Sequence, residues 1–344
     1  MDIYFALIVP KFKNRFRLKS KIKKSLVIYI MENNKLYEFL KTKNITESSL
    51  KLYLNNLRRL NGGEFPKSFS FLKDTEKILG DLEKYKPNTR RSYLISIITT
   101  LKHDPKMKKL YLKYYEHLDK YNKEGAKNNV KSETQKENWI NQDEVKEVYS
   151  KMTEEVKPLL EQKKVSASEY EKILRWFVLS LYTLQKPRRN ADYQKCLIGK
   201  KIPTDLSDRY NFFDLVTSKW IFTNYKTKGT YKTQVVEATP EMVSVLNSYL
   251  KFHPGAKMLK KKGGLIPLIV DYQGEPFAYG NYITKMLNKI FGKKIGVSML
   301  RNIFLTDKYG DKVKELEQDA TDMGTSSSTI QNQYVKLDGD SKTD

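Results

Sequence analysis

Between Tyr121 and Glu137 the chain reads YNKEGAKNNVKSETQKE, a run with almost nothing that can enter a core. Gly, Asn, Ser and Lys at this density make a linker, so the apolar residues on either side must build separate cores. The expected organisation is a basic arm over residues 1–32, a helical domain over 33–125, a linker over 126–138 and a second domain over 139–344. A length of 344 residues accommodates two domains of ordinary size.

The first of these domains has a helical period. Thr46 can cap a helix in which Leu50, Tyr53, Leu54 and Leu57 recur at i, i+3, i+4 and i+7. Leu94, Ile97, Ile98 and Leu101 repeat the spacing in a helix starting near Thr89, and Phe69 to Leu82 reads as a further short helix. The second domain opens at Trp139, where Asn141 and Glu144 have the spacing of a capping box. Tyr170, Ile173, Leu174, Phe177, Val178 and Leu181 then form one wide apolar face, and Pro187 must end or bend that helix. Around Trp220 the period changes to that of strands. Ser218 to Lys226 and Tyr231 to Ala238 read as a hairpin turning at Gly229. Thr239-Pro240 starts another helix, and more follow at Tyr282 to Phe291 and Val297 to Asp307. The expected class is mainly α, with a small antiparallel sheet in the second domain.

Charge narrows the partners. The chain has 64 Lys and Arg against 40 Asp and Glu, a net charge of +24, with +16 of it in residues 1–140. Such an excess attracts a polyanion, and inside a cell that is most often nucleic acid. The lone Cys196 cannot form an internal disulfide, which points to a reducing intracellular compartment. The apolar run Ile3 to Pro10 is too short to span a bilayer. Its basic residues follow rather than precede it, the reverse of a signal peptide. No membrane association is expected.

Only 11 of the basic residues are Arg, so the places where Arg is used carry information. Arg is preferred over Lys where a planar fork must hold a phosphate or carboxylate in fixed geometry. In the helical domain Arg58, Arg59, Arg90 and Arg91 are candidates for phosphate contacts, and in the second domain Arg188, Arg189 and Arg301 stand out. Arg189 precedes Asp192 by three residues, a spacing that lets the carboxylate hold the guanidinium from behind. The histidines His103, His117 and His253 are scattered and match no metal-ligand spacing. No acidic cluster suggests a two-metal nuclease, so no metal or cofactor is expected.

Taken in order, Arg189-Asn-Ala-Asp192, Tyr-Lys226-Thr-Lys228-Gly229, Ser298-Met-Leu-Arg301 and Gly324-Thr325 with Tyr334 nine residues beyond resemble the catalytic domain of the tyrosine recombinases, the phage integrase family. The preceding helical domain resembles that family's core-binding domain, and the resemblance covers residues 33–335. It implies a site-specific recombinase or integrase acting on double-stranded DNA, of the kind found in viruses and mobile elements. It also implies a homo-oligomer, four protomers on paired sites. Tyr334 would be the nucleophile, Arg189 and Arg301 the phosphate-binding arginines, Asp192 their support and Lys226 the hairpin lysine. Lys228 and Arg188 compete with Lys226 and Arg189, one position of register apart. Two positions depart from the pattern: Ser298 stands where the family has His or Lys, and Thr325 where it has His or Trp. Their hydroxyls can still donate hydrogen bonds but carry no positive charge. A DNA-binding protein without catalysis is therefore the alternative. A type IB topoisomerase is a weaker one, because the Ser-Lys-x-x-Tyr arrangement is missing before Tyr334.

The chemistry follows from these groups. Displacement at a phosphodiester builds negative charge on the non-bridging oxygens, which fixed guanidiniums stabilise. The Tyr334 phenol would attack, leaving a 3′-phosphotyrosine, and Lys226 would protonate the departing 5′ oxygen. The covalent link conserves the bond energy, so rejoining requires no ATP.

Overall fold

The computed structural model describes residues 35–43, 45–126, 130–202, 209–261, 264–277 and 280–336. The expected basic arm over 1–32 and the polar tail after Asp338 lie outside them. The chain divides into two compact units, Met1–Val130 and Lys131–Asp344, each with its own apolar core.

The first unit is helical: α1 (Lys35–Lys41), α2 (Glu47–Leu60), α3 (Thr75–Glu83), α4 (Pro87–Leu101) and α5 (Lys108–Ala126). Thr46 caps α2 by accepting from the Ser49 amide, and Pro87 occupies the first turn of α4, where a missing N–H is harmless. Leu50, Leu54 and Leu57 of α2 are buried in one core with Leu94, Ile97 and Leu101 of α4. Inside the contact, Asn56 donates to the Ser96 hydroxyl at 2.9 Å. The helix expected over Phe69 to Leu82 is split into a 3-10 turn (Ser70–Lys73) and α3. Asp74 takes the cap position between them, its carboxylate accepting from the Lys77 amide at 3.1 Å.

The expected linker is more ordered than its composition suggested. α5 continues to Ala126, and Glu133–Asn138 forms α6. Ser132 and Gln135 cap it reciprocally, so polarity here marks exposure and not absence of structure.

In the second unit α7 (Gln142–Leu160) starts on the Asn141/Glu144 capping box. α8 (Ala167–Thr183) is buried around much of its circumference, Trp176, Leu179 and Tyr182 adding to the face read from the sequence. It stops four residues before Pro187. After a short α9 (Asn190–Gln194) come strands β1 (Cys196–Gly199), β2 (Asn211–Asp214), β3 (Lys219–Phe222), β4 (Gln234–Glu237) and β5 (Leu265–Pro267), in the order β4-β3-β2-β1-β5. β1 and β2 run parallel and the other pairs antiparallel, so the sheet is mixed where an antiparallel one was expected. The protein is mostly helical with this one small sheet. Cys196 is buried in β1, and burial pushes its thiol far up.

The hairpin exists, but its strands are shorter than expected. β3 ends at Phe222 because the Asn211 side chain accepts from the Thr223 and Asn224 amides at 2.9 and 2.7 Å. Those amides are no longer available to the ladder. The connection then winds into α10 (Lys228–Tyr231), so Lys226 and Lys228 lie on a loop and a helical turn. Three helices follow: α11 (Pro240–Leu250), capped by Thr239; α12 (Tyr282–Phe291); and α13 (Val297–Asp322). α13 was expected to end at Asp307. Its apolar positions instead continue at spacings of three and four through Leu305, Tyr309, Val313, Leu316 and Ala320. The helix stops where Gly324 turns left-handed (φ +64°), in a Schellman pair from Thr325 N to Ala320 O and Gly324 N to Thr321 O.

A candidate anion-binding cleft

The residues after α8 are fixed by side chains that reach the sheet. Trp220 Nε1 donates to Gln185 Oε1 at 3.0 Å, and Gln185 Nε2 donates to the Tyr193 hydroxyl at 2.7 Å. Asn190, the first residue of α9, donates to Thr284 Oγ1 of α12 at 2.9 Å. Lys186 to Arg189 are therefore suspended between two pinned points.

Arg188 faces the sheet. Its Nε donates to Asp192 Oδ2 at 3.1 Å, its Nη1 donates to Gln234 Oε1 of β4 at 3.0 Å, and its guanidinium lies 3.6 Å from the centre of the Phe222 ring. The carboxylate pairing read from the sequence is corrected here. Asp192 is ion-paired with Arg188 and not with Arg189, because Phe222 stacking draws Arg188 inward. Asp192 is only 2% exposed, and its Oδ1 has no hydrogen-bond partner among the described residues. Burial pushes its carboxyl above the usual range, against the pull of Arg188.

Arg189 and Arg301 line the same cleft, of about 1130 Å³, together with Arg188, Thr227, Tyr231 and Gln234. No hydrogen bond or ion pair engages either guanidinium among the described residues. Burial first, and the Arg189 charge second, make Arg301 a weaker base than usual, while Asp192 pulls the other way. Two guanidiniums from distant parts of the chain thus repel each other across one cavity. That arrangement suits a polyoxyanion able to bridge them.

The remaining candidates are not brought into this lining. Lys226 is exposed on the loop beside Thr227, and Lys228 is half-buried at the start of α10. Ser298 is exposed in the first turn of α13, one turn before Arg301. Thr325 and Tyr334 lie beyond the other end of that helix, which rises about 30 Å between Arg301 and Asp322. Ser326 caps the following turn, α14 (Ser327–Thr329), which runs into a π-helical turn (Ile330–Tyr334). Ile330 is buried, whereas Tyr334 is 58% exposed.

In the first unit two arginines are already engaged. Arg58 Nη1 donates to Gly63 O at 2.9 Å, and Arg90 donates to the carbonyls of Tyr85 (2.6 Å) and Glu83. Arg58 and Arg90 therefore each spend part of the guanidinium on local carbonyls. Arg91 makes one bond, Nε to Asn122 Oδ1 at 2.7 Å. Arg59 is exposed and has no hydrogen bond among the described residues.

Sequence reasoning missed Gln185, Tyr231 and Gln234. The pairing of β3 with β4 brings Tyr231 and Gln234 to the arginines, and Gln185 is fixed there by Trp220 and Tyr193; nothing local announces either. Among the described residues no three His, Cys, Asp or Glu side chains gather as a metal site, and no helix is long and apolar enough to cross a membrane.

No family model and no curated protein matches the chain. Among solved structures it is similar to the crystal structure of XerA recombinase, at 15% identity and a TM-score of 0.33, over 91% of this chain and 94% of that one.

Proposed function

We propose that the protein is a DNA strand-exchange enzyme of the tyrosine recombinase type. What carries the reading is the pair of unengaged guanidiniums, Arg189 and Arg301, facing one cleft in a chain of net charge +24. A scissile phosphodiester binds between them, its non-bridging oxygens meeting both positive charges. Tyr334 Oη attacks phosphorus as the P–O5′ bond breaks, its phenol proton passing to solvent water. The departing 5′ oxygen takes a proton from Lys226, or from Lys228 one step along the loop. Reversal by another strand's 5′-hydroxyl completes the exchange. Arg188 and Asp192 act from behind, as the fixed wall that orients the segment carrying Arg189. Because α13 carries the Tyr334 segment away from its own Arg301, the reading has Tyr334 of one copy serve the cleft of another, within a homo-oligomer on paired sites.

The test is covalent capture on suicide duplexes cut from the DNA flanking the gene. Wild type gives a slowly migrating protein–DNA species on a denaturing gel. Tyr334→Phe and Arg301→Ala each bind DNA without forming it. When the two variants are mixed the species returns, attached to the Arg301→Ala chain. An adduct that persists in Tyr334→Phe removes the nucleophile from its role. The second reading, a DNA-binding protein without catalysis, is favoured by Ser298 and Thr325 at positions that usually carry a cation or aromatic donor. It prevails if wild type binds every duplex and captures none.

A further inference from the structure

The cleft has an apolar lip that the phosphate chemistry leaves unused. Tyr231 ends α10 and is 62% exposed, and on the edge strand β4 Val235 and Val236 are 59% and 42% exposed. All three line the cleft that holds Arg189 and Arg301. Single exposed apolar side chains are common on any protein. Tyr231 together with Val236, which shares the β4 face of Gln234 and so the Arg188 side of the sheet, is not explained that way.

The backbone beside Tyr231 is held under constraint. Lys232, the next residue, has a positive φ of 55°, which a lysine rarely adopts. It is kept there by Tyr225, whose hydroxyl donates to Lys232 O at 2.6 Å, and by its own amide bond to Lys228 O at 2.8 Å. Strained backbone persists only where its surroundings over-determine it, and it gathers at functional sites. Here the latch closes α10 and sets Tyr231 at the rim. The other aromatic rings of the cleft are engaged: Phe222 and Tyr225 lie against Arg188, and Tyr193 against Trp220. The Tyr231 ring has no ring or cation partner among the described residues.

We propose that Tyr231, with Val236, is a specificity-determining platform for the nucleoside flanking the phosphate held by Arg189 and Arg301. This rests on the nucleic-acid reading of the cleft and deepens it. The arginines recognise any phosphate, whereas the lip recognises the sugar and base attached to it. An aromatic face accepts any nucleoside and removes apolar area from water on contact, so it separates a nucleic acid from a bare polyanion without reading sequence.

The test compares a labelled DNA duplex with inorganic polyphosphate as ligands of the full-length chain, by anisotropy and competition at fixed salt. Tyr231→Ala is expected to weaken DNA binding about tenfold and to leave polyphosphate binding and the salt slope unchanged. Tyr231→Phe, which keeps the ring, stays within about twofold of wild type. The proposal is overturned if the alanine variant binds DNA normally, if it loses both ligands equally, or if phenylalanine behaves like alanine. Wild type binding neither ligand sinks the nucleic-acid reading itself. Wild type binding both, with no effect of Tyr231→Ala, sinks only the lip.

Discussion

Replacing Asp192 by asparagine separates two views of what this residue does. A buried ion pair broken by removing one partner ordinarily costs about 3–5 kcal/mol. Asp192 is buried and paired with Arg188, so that figure is the naive expectation. Burial, however, outweighs Arg188 and raises the carboxyl's pKa in the folded state. By linkage a raised acid favours folding in its neutral form: its contribution is complete below the unfolded pKa of about 3.9 and is lost as pH rises through the folded value. At neutral pH the ionised carboxylate is then a net cost. A neutral isostere that still accepts from Arg188 should leave stability within about 1 kcal/mol of wild type, or raise it. Arg188 is also held by Gln234 and by Phe222 stacking, and so is not stranded. All three tryptophans, Trp139, Trp176 and Trp220, lie in the second unit, so tryptophan fluorescence during denaturant unfolding reports on it selectively. The difference between Asp192→Asn and wild type should grow in the variant's favour from about pH 4 up to the raised pKa and then level. A loss of about 3 kcal/mol or more at neutral pH would refute the reasoning and make Asp192 a simple stabilising partner.

Four further outcomes are expected. His253 accepts at Nδ1 from the Gly255 amide and donates from Nε2 to Pro267 O, each at 3.0 Å, and burial lowers its pKa from 6.5 to about 4. The stability it contributes above pH 6.5 should be lost as pH falls towards 4, by up to ~3 kcal/mol, and His253→Gln should flatten that part of the unfolding profile. Arg301→Gln removes a guanidinium with nothing to lose, so the melting temperature should hold or rise slightly while the salt slope of DNA binding falls by about one; a lower melting temperature would show that Arg301 has a structural partner. Gly324→Ala meets no side chain, yet must place a Cβ in left-handed backbone at about 1 kcal/mol, which should loosen the Ser326–Tyr334 turn and cut covalent capture severalfold without changing DNA affinity. In the first unit Arg90→Ala should destabilise by about 2 kcal/mol through two stranded carbonyls and leave the salt slope intact, whereas Arg59→Ala should do the reverse; hydrogen exchange and binding titrations measure the two.

What could be read from the sequence was what neighbouring residues decide. The Asn141/Glu144 box and the Thr239-Pro240 start are complete within four residues, and both caps formed as read. The partner of Asp192 was not legible, because spacings of three and four are equally compatible with a carboxylate–arginine pair. The choice fell to Phe222, which is distant in sequence and lies beneath Arg188. β1, β2 and β5 were missed for a related reason. CLIG, NFFD and LIP are short runs with no alternation to mark them. Lys226 was read onto a strand because nothing in its own neighbourhood reveals that Asn211 intercepts the amides of Thr223 and Asn224. At α13 the sequence held the stop signal, but Gly324 was read as part of a catalytic step when it is also the helix's terminating glycine.

The cleft can be judged without any resemblance, by asking what its features do to the fold. Asp192 is buried with one oxygen unengaged among the described residues, Arg189 and Arg301 repel each other across one cavity, and Lys232 holds a backbone conformation that lysine avoids. Each of these alone destabilises the second unit, whereas two buried polar side chains farther from the cleft are fully paired. His253 satisfies both ring nitrogens, and Asn211 uses both ends of its amide. Local rules broken together around one cleft are what a site kept for what it binds would show. A phosphodiester bridging the two guanidiniums would remove the repulsion and supply the missing acceptors at once. The cost to the fold and the proposed function therefore have one origin, and a variant that relieves the cost should weaken the binding.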